Sequence, residues 1–166
     1  MKQKRIVKIE RETKETKIKL ELNLEGSGIS DVKTGIGFLD HMLDLWTFHG
    51  LFNLKLTCKG DLEIDTHHTT EDIAIALGSA LDKAVGDKKG IVRYGFSYVP
   101  MDEALLRVAL DLSGRPEFVF SGEFLQSSIG NLDTQMIRHF FKSLAIYSRM
   151  TLHMSILYGI NDHHKC

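Results

Sequence analysis

The chain carries two versions of one pattern. Glu15-Thr-Lys-Ile-Lys-Leu-Glu-Leu-Asn-Leu-Glu-Gly26 can be laid on Glu103-Ala-Leu-Leu-Arg-Val-Ala-Leu-Asp-Leu-Ser-Gly114, so that glutamate, base, apolar positions and final glycine correspond. Both copies alternate, with Leu20, Leu22 and Leu24 on one face and Val108, Leu110 and Leu112 on the equivalent face. That is the period of a half-buried strand ending at a turn.

The elements that follow also correspond. Residues 35–48 space Ile36, Leu39, Leu43 and Trp46 for one helix face and contain His41. Residues 134–148 do the same with Met136, Ile137, Phe140, Phe141, Leu144 and Ile146, and contain His139. A strand is predicted after each helix, Leu51–Cys58 and Met150–Leu157. Each strand leads past a glycine, Gly60 or Gly159, to a histidine pair. The first pair opens a helix, Glu71–Val85, with Ile73, Ala74, Leu77 and Leu81 on its buried side; the second should open an equivalent one, but the sequence stops at Cys166. Each half therefore reads strand, strand, helix, strand, helix, with room for further short strands. The fold class is α+β, a duplicated two-layer unit in which each half is a mixed sheet with helices on one face. The 166 residues are expected to make a single compact domain of two repeated halves, roughly 1–90 and 91–166, the second truncated at its C-terminus.

Composition excludes several classes of function. Net charge is −1, so no basic face points to nucleic acid or to an anionic membrane. No apolar run has membrane length. Cys58 and Cys166 are too few for a disulfide framework, and the charged N-terminal segment has no leader character, so a cytoplasmic protein is expected.

The histidines carry the chemistry. His67-His68-Thr69-Thr70-Glu71 begins one helix, and His163-His164 closes the chain. Neighbouring side chains on a helix point about 100° apart, so one metal does not readily take both imidazoles of a pair. His67 and Glu71 are four apart and share a face, while His68 is turned toward another site. Two pairs suggest two metals, each drawing one histidine from each pair. The competing reading is a solvated helix start, with Glu71 and Asp72 favoured by the positive helix end. With His41 and His139 in corresponding places, the candidate ligands are His41, His67, His68, Glu71, His139, His163 and His164. This imidazole-rich set suits Zn²⁺, Mn²⁺, Fe²⁺ or Co²⁺ and argues against Ca²⁺. His49 reads as a helix C-terminal cation or loop residue, and His153 as a hydrogen-bonded structural histidine in mid-strand.

Arg93 in Val92-Arg93-Tyr94-Gly95 and Arg115 in Ser113-Gly114-Arg115-Pro116 suit bidentate capture of a phosphate, or else pair with surface carboxylates. Glu15, Asp102 and Glu103 stand at strand starts, where they are proton carriers or ordinary flanking charges.

These motifs, in this order, resemble the imidazoleglycerol-phosphate dehydratase family of histidine biosynthesis. The resemblance runs from Arg11-Glu12-Thr13-Lys14-Glu15-Thr16 through Gly35-Ile-Gly-Phe-Leu-Asp-His41-Met42 and Asp65-Thr-His67-His68-Thr-Thr-Glu71-Asp72. It continues through Arg93-Tyr94-Gly95, Met101-Asp102-Glu103 and Ser113-Gly114-Arg115-Pro116 to Asn161-Asp162-His163-His164. It implies a lyase that dehydrates D-erythro-imidazole glycerol phosphate to imidazole acetol phosphate, using two Mn²⁺ ions per active site that bind the substrate imidazole. One ion would be held by His41, His68 and His163, the other by His67, Glu71, His139 and His164. Glu15 and Glu71 are the implied catalytic carboxylates, and Glu15, His41, His67, Arg93, Asp102, Arg115 and His163 the implied substrate-binding set. It also implies a homo-oligomer, a twenty-four-subunit shell with shared sites. The family's second pair continues as His-His-x-x-Glu, whereas here two residues follow His164. The rival functions are a dinuclear-metal phosphate-ester hydrolase and a non-enzymatic metal-sequestering assembly.

Overall fold

The computed structural model describes residues 5–166. Its elements in chain order are β1 (Ile6–Glu12), β2 (Thr16–Asn23), β3 (Ile29–Lys33), α1 (Gly37–Gly50), β4 (Asn53–Gly60) and α2 (His67–Val85). Then come β5 (Tyr94–Met101), β6 (Ala104–Asp111), β7 (Glu117–Ser121), the short pair β8 (Ser128–Ile129) and β9 (Leu132–Asp133), α3 (Thr134–Ser148) and β10 (Thr151–Tyr158). A 3-10 turn at Asp162–Lys165 closes the chain.

The two halves share one sheet topology. One sheet has the order β1-β2-β4-β3, the other β5-β6-β10-β7. In each, two antiparallel pairings are followed by a parallel edge strand, β3 on β4 or β7 on β10. The repeated stretch falls on β2 and β6 in matching register: Leu22 faces Val7, and Leu110 faces Gly95. β3 and β7 are further short strands of the kind the sequence pattern left room for but did not place, because five residues are too few to establish a period.

Alternation decides the layers. Thr16, Ile18, Leu20 and Leu22 of β2 are buried, while Lys17 and Lys19 between them face solvent. One apolar core joins Leu20 and Leu56 of the first sheet to Leu152 of the second through Ile73, Leu77, Ile137 and Leu144 of the helices. Helix α2 is the most deeply set element, with eleven buried residues, and it packs on α3 as well as on β1 and β2. Among the described residues no comparable helix covers β5, where Val99 and Met101 remain about half exposed. Among the described residues no helix is long and apolar enough to cross a membrane.

The helix ends repeat as well. Helix α1 stops at Leu51 and α3 at Arg149, each a left-handed residue whose N–H bonds back to the last turn. Gly50 does not take that conformation; it is small because a Cβ there would lie 2.6 Å from the Phe52 ring. Helix α2 begins four residues earlier than its apolar period suggests, so His67 and His68 belong to its first turn. The second histidine pair lies on the 3-10 turn.

Gly78 sets the α2–α3 spacing, since a Cβ there would come within 2.8 Å of the Leu144 carbonyl and 2.9 Å of the Tyr147 Cβ. Gly78→Ala is therefore expected to destabilise by about 1–3 kcal/mol through overpacking, against the roughly 1 kcal/mol that alanine gains in helix propensity. A urea midpoint that stayed put or rose would mean that these helices can separate at little cost.

Candidate metal centre

Helices α1, α2 and α3 all place histidines near their N-terminal ends. The first turn of α2 offers two faces, because residues four apart align. His67 and Glu71 share one, His68 and Asp72 the other.

On the first face, His67 Nε2 lies 3.8 Å from Glu71 Oε2, and His139 Nε2, from α3, lies 3.0 Å from Glu71 Oε1. The two imidazole rings are 4.9 Å apart. One ligand atom from each of the three residues falls within 4.8 Å of the others. Among the described residues His139 Nε2 is buried with no hydrogen-bond partner. A buried, unpartnered imidazole nitrogen beside a carboxylate is what a transition-metal site requires of its ligands.

The duplication generates a second meeting. His41 of α1 and His163 of the final turn have ring centres 5.5 Å apart, with the Phe38 ring edge-on to His163 at 5.2 Å. In both cases a histidine of a pair from one half meets the helix histidine of the other half.

The second members of the pairs are held apart from these clusters. His68 Nδ1 lies 2.9 Å from Asp61 Oδ2, and that bond is the first cause raising its pKa above the ordinary imidazole range, with Glu15 adding a smaller pull. His164 Nδ1 lies 2.8 Å from Glu103 Oε2. Glu103 also accepts the Asn161 and Ile160 N–H groups at 2.7 and 3.0 Å. The Asn161 bond foremost, then His164, lowers its pKa to about 2. Anchoring Nδ1 on a carboxylate fixes each ring and directs Nε2 to other partners.

A family model described as imidazoleglycerol-phosphate dehydratase matches residues 34–166. The chain belongs to the imidazoleglycerol-phosphate dehydratase family. A relative from Clostridioides difficile is 55% identical over 161 residues, 97% of this chain and 84% of its own length. One from Roseiflexus is 56% identical over 161 residues, covering 97% and 81%. The crystal structure of the Staphylococcus aureus dehydratase superposes with a TM-score of 0.87 at 38% identity, over 96% of this chain and 88% of that one. The Pyrococcus furiosus enzyme, in complex with (S)-C348, gives 0.80 at 33% identity, over 94% and 83%. Membership makes the chain a hydro-lyase of histidine biosynthesis.

The ligand sets that resemblance implied for a dehydratase do not close within one chain. His41 and His163 meet without His68, and His67, Glu71 and His139 converge without His164. The reason is the rotation along α2, which sends His67 and His68 in different directions. Arg93 is engaged by Asp111, with Nε–Oδ1 and Nη2–Oδ2 distances of 2.5 and 2.8 Å, and it lies over the Tyr94 ring. Arg115 sits in a fixed turn, its N–H donating to Ser113 Oγ and its carbonyl accepting from Thr151 Oγ1. Both arginines stand near the Asp111 end of β6, while Glu103 and His164 stand at the Ala104 end. Eight extended residues separate those ends by roughly 25 Å. Asp102, with φ of 46°, is on the hairpin tip at 3.9 Å from His164 Nε2.

His49 lies in the last turn of α1, as its helix-cation reading expects. His153 is exposed on the outer face of β10, not enclosed as a structural histidine would be; its neighbours across the sheet are Ala109 and Val119. A cavity of 710 Å³ has no histidine in its mainly apolar wall, which includes Trp46, Leu81, Leu110 and Leu112. Sequence reasoning missed Asp61 and the role of Asp72, although Asp72 follows His68 at helical spacing.

The clamp on Glu103 gives a titration test in metal-free protein. Its folded pKa is lowered, so its contribution to stability is full above the ordinary carboxylate range and is lost as pH falls from about 4.5 toward about 2. Carboxyl NMR should show Glu103 ionised down to about 2. A midpoint near 4.5 would mean that the Asn161 and Ile160 bonds do not form in solution.

Proposed function

We propose that this hydro-lyase converts D-erythro-imidazole glycerol phosphate to imidazole acetol phosphate at a dinuclear Mn²⁺ site completed between copies of the chain. The observation that carries this reading is the complementary incompleteness of the imidazoles. His67, Glu71 and His139 converge but lack a fourth ligand, while His164 stands apart with its Nδ1 fixed on Glu103. Likewise His41 and His163 lack a companion, and His68 stands apart on Asp61. A neighbouring copy supplies what each cluster lacks. The roughly 25 Å between Arg115 and the Glu103 end of the same sheet argues the same way, because a phosphate bound by one chain's arginines meets another chain's histidines.

Two Mn²⁺ ions, held by His41, His68 and His163 and by His67, Glu71, His139 and His164, would supply Lewis acidity at the substrate imidazole. The rest falls to side chains. Arg93 and Arg115 hold the phosphate as planar forks, Arg93 exchanging or sharing its Asp111 contact. That anchorage, remote from the reacting carbon, orients the substrate. Glu15, exposed on the β1–β2 turn, takes the carbon-bound proton. The C–O bond breaks with protonation of the leaving hydroxyl, water departs, and the enol tautomerises to the ketone.

Three measurements test this. Glu71→Gln should lose bound Mn²⁺ and with it the large assembly, whereas Glu15→Gln should keep both and lose turnover by about 10²-fold or more. Arg115→Lys should raise KM by about tenfold with metal content unchanged, since the ammonium cannot reproduce the fork. Mn²⁺ added to chelated protein should increase the mass seen by light scattering. A single mass with and without chelator would sink the shared-site reading, and release of inorganic phosphate in place of the ketone would turn the chemistry into ester hydrolysis.

A further inference from the structure

The two halves carry corresponding glutamates, and they have met different fates. Glu103, at the β5–β6 turn, has its carboxylate consumed by two backbone N–H groups and His164. Glu15, at the equivalent β1–β2 turn, is exposed, and among the described residues no group bonds its carboxylate. The Glu15 turn is anchored differently, through Asp72 of α2.

Both Asp72 oxygens are occupied. Oδ1 accepts Arg11 Nε and Nη2 at 3.0 and 2.7 Å; Oδ2 accepts the hydroxyls of Thr16 and Thr13 at 2.5 and 3.3 Å. Thr13 Oγ1 in turn accepts the backbone N–H groups of Glu15 and Thr16 at 3.2 and 3.0 Å. Asp72 and Thr16 are buried, at 7% and 3% exposure. An unbroken chain of hydrogen bonds thus runs from helix α2 to the main-chain nitrogen of Glu15. Strand register puts Val99, Met101 and Ala104 of the second half where the first has Arg11, Thr13 and Thr16. The polar cage is therefore not a general need of this hairpin. It occurs only in the half whose glutamate is free.

Asp72 follows His68 by four residues and shares its helix face, away from Glu71 and His139. We propose that Asp72 is a positioning residue, and that with Arg11, Thr13 and Thr16 it locks the Glu15 turn onto the His68 face of α2, fixing the proton-carrying carboxylate relative to the ring. This rests on the proton-transfer role given to Glu15 above. A carboxylate that must reach a carbon-bound proton gains from being held in place, and small misplacements cost turnover steeply.

Asp72→Asn removes a buried charge partner and risks the fold, so the decisive variant is Thr13→Val, which keeps the shape and deletes the hydroxyl. The expected result is a fall in kcat of about tenfold or more, with KM, Mn²⁺ content and assembly mass unchanged, and recovery in Thr13→Ser. Glu15→Gln is run beside it. If Glu15→Gln loses turnover while Thr13→Val stays within about twofold of the parent, the positioning role is overturned and the proton carrier stands. Loss of Mn²⁺ or of assembly in Thr13→Val, or no recovery in Thr13→Ser, overturns it in favour of a structural role. Normal turnover in Glu15→Gln overturns the proton carrier itself, and the positioning role falls with it.

Discussion

An α-helix turns about 100° per residue, and at the start of α2 that rotation sorts the chemistry of this protein. Adjacent imidazoles cannot face one point, so His67 joins Glu71 and His139 on one side while His68 turns to Asp61 on the other. Everything else at this end follows the division. Helix α3 must approach closely enough to bring His139 to Glu71, and the small Gly78 two turns further along α2 makes that approach possible. The β1–β2 turn must close on the second face, and Asp72 makes that contact. A helix as deeply buried as α2 can carry this load because its position is over-determined by packing on two strands and a neighbouring helix.

Duplication gives the site its symmetry, and divergence gives it direction. The histidines of the two halves exchange partners, so neither half builds a cluster alone: His67 needs His139, and His163 needs His41. Had the halves stayed identical, both turn glutamates would be equally placed. Glu103 instead became a clamp for the final turn, accepting from Ile160 and Asn161, and Glu15 kept its carboxylate free. The buried Asp162–Lys165 pair, with Asp162 also accepting from Leu125 and Gln126, secures the same turn from beneath. Two buried opposite charges are tolerated there because both are hydrogen-bonded, Lys165 also donating to the Glu123 carbonyl.

The sequence by itself determined the duplicated α+β plan, because strand and helix periods repeat over both halves and a half-buried element must alternate. It marked the histidine pairs, Glu71, Arg93, Arg115 and Glu15, and the order of those motifs pointed to the dehydratase family that the comparisons then established. It left β3 and β7 unplaced, since five-residue edge strands carry too little pattern and take their place from pairing with β4 and β10. Only the tertiary structure decided which histidine meets which, because those contacts cross between halves at long sequence separation. Only it revealed that Arg93 is held by Asp111 and that both arginines stand at the far end of their sheet from Glu103. The separation of Glu15 from Glu103 was likewise beyond the sequence, where both read as a charge before a strand. Their difference lies in what the surrounding backbone presents: free N–H groups of residues 160 and 161 at one turn, and at the other a threonine bonded to a helix carboxylate. Local pattern fixes which elements form; three-dimensional proximity of distant residues fixes which groups they leave free to react.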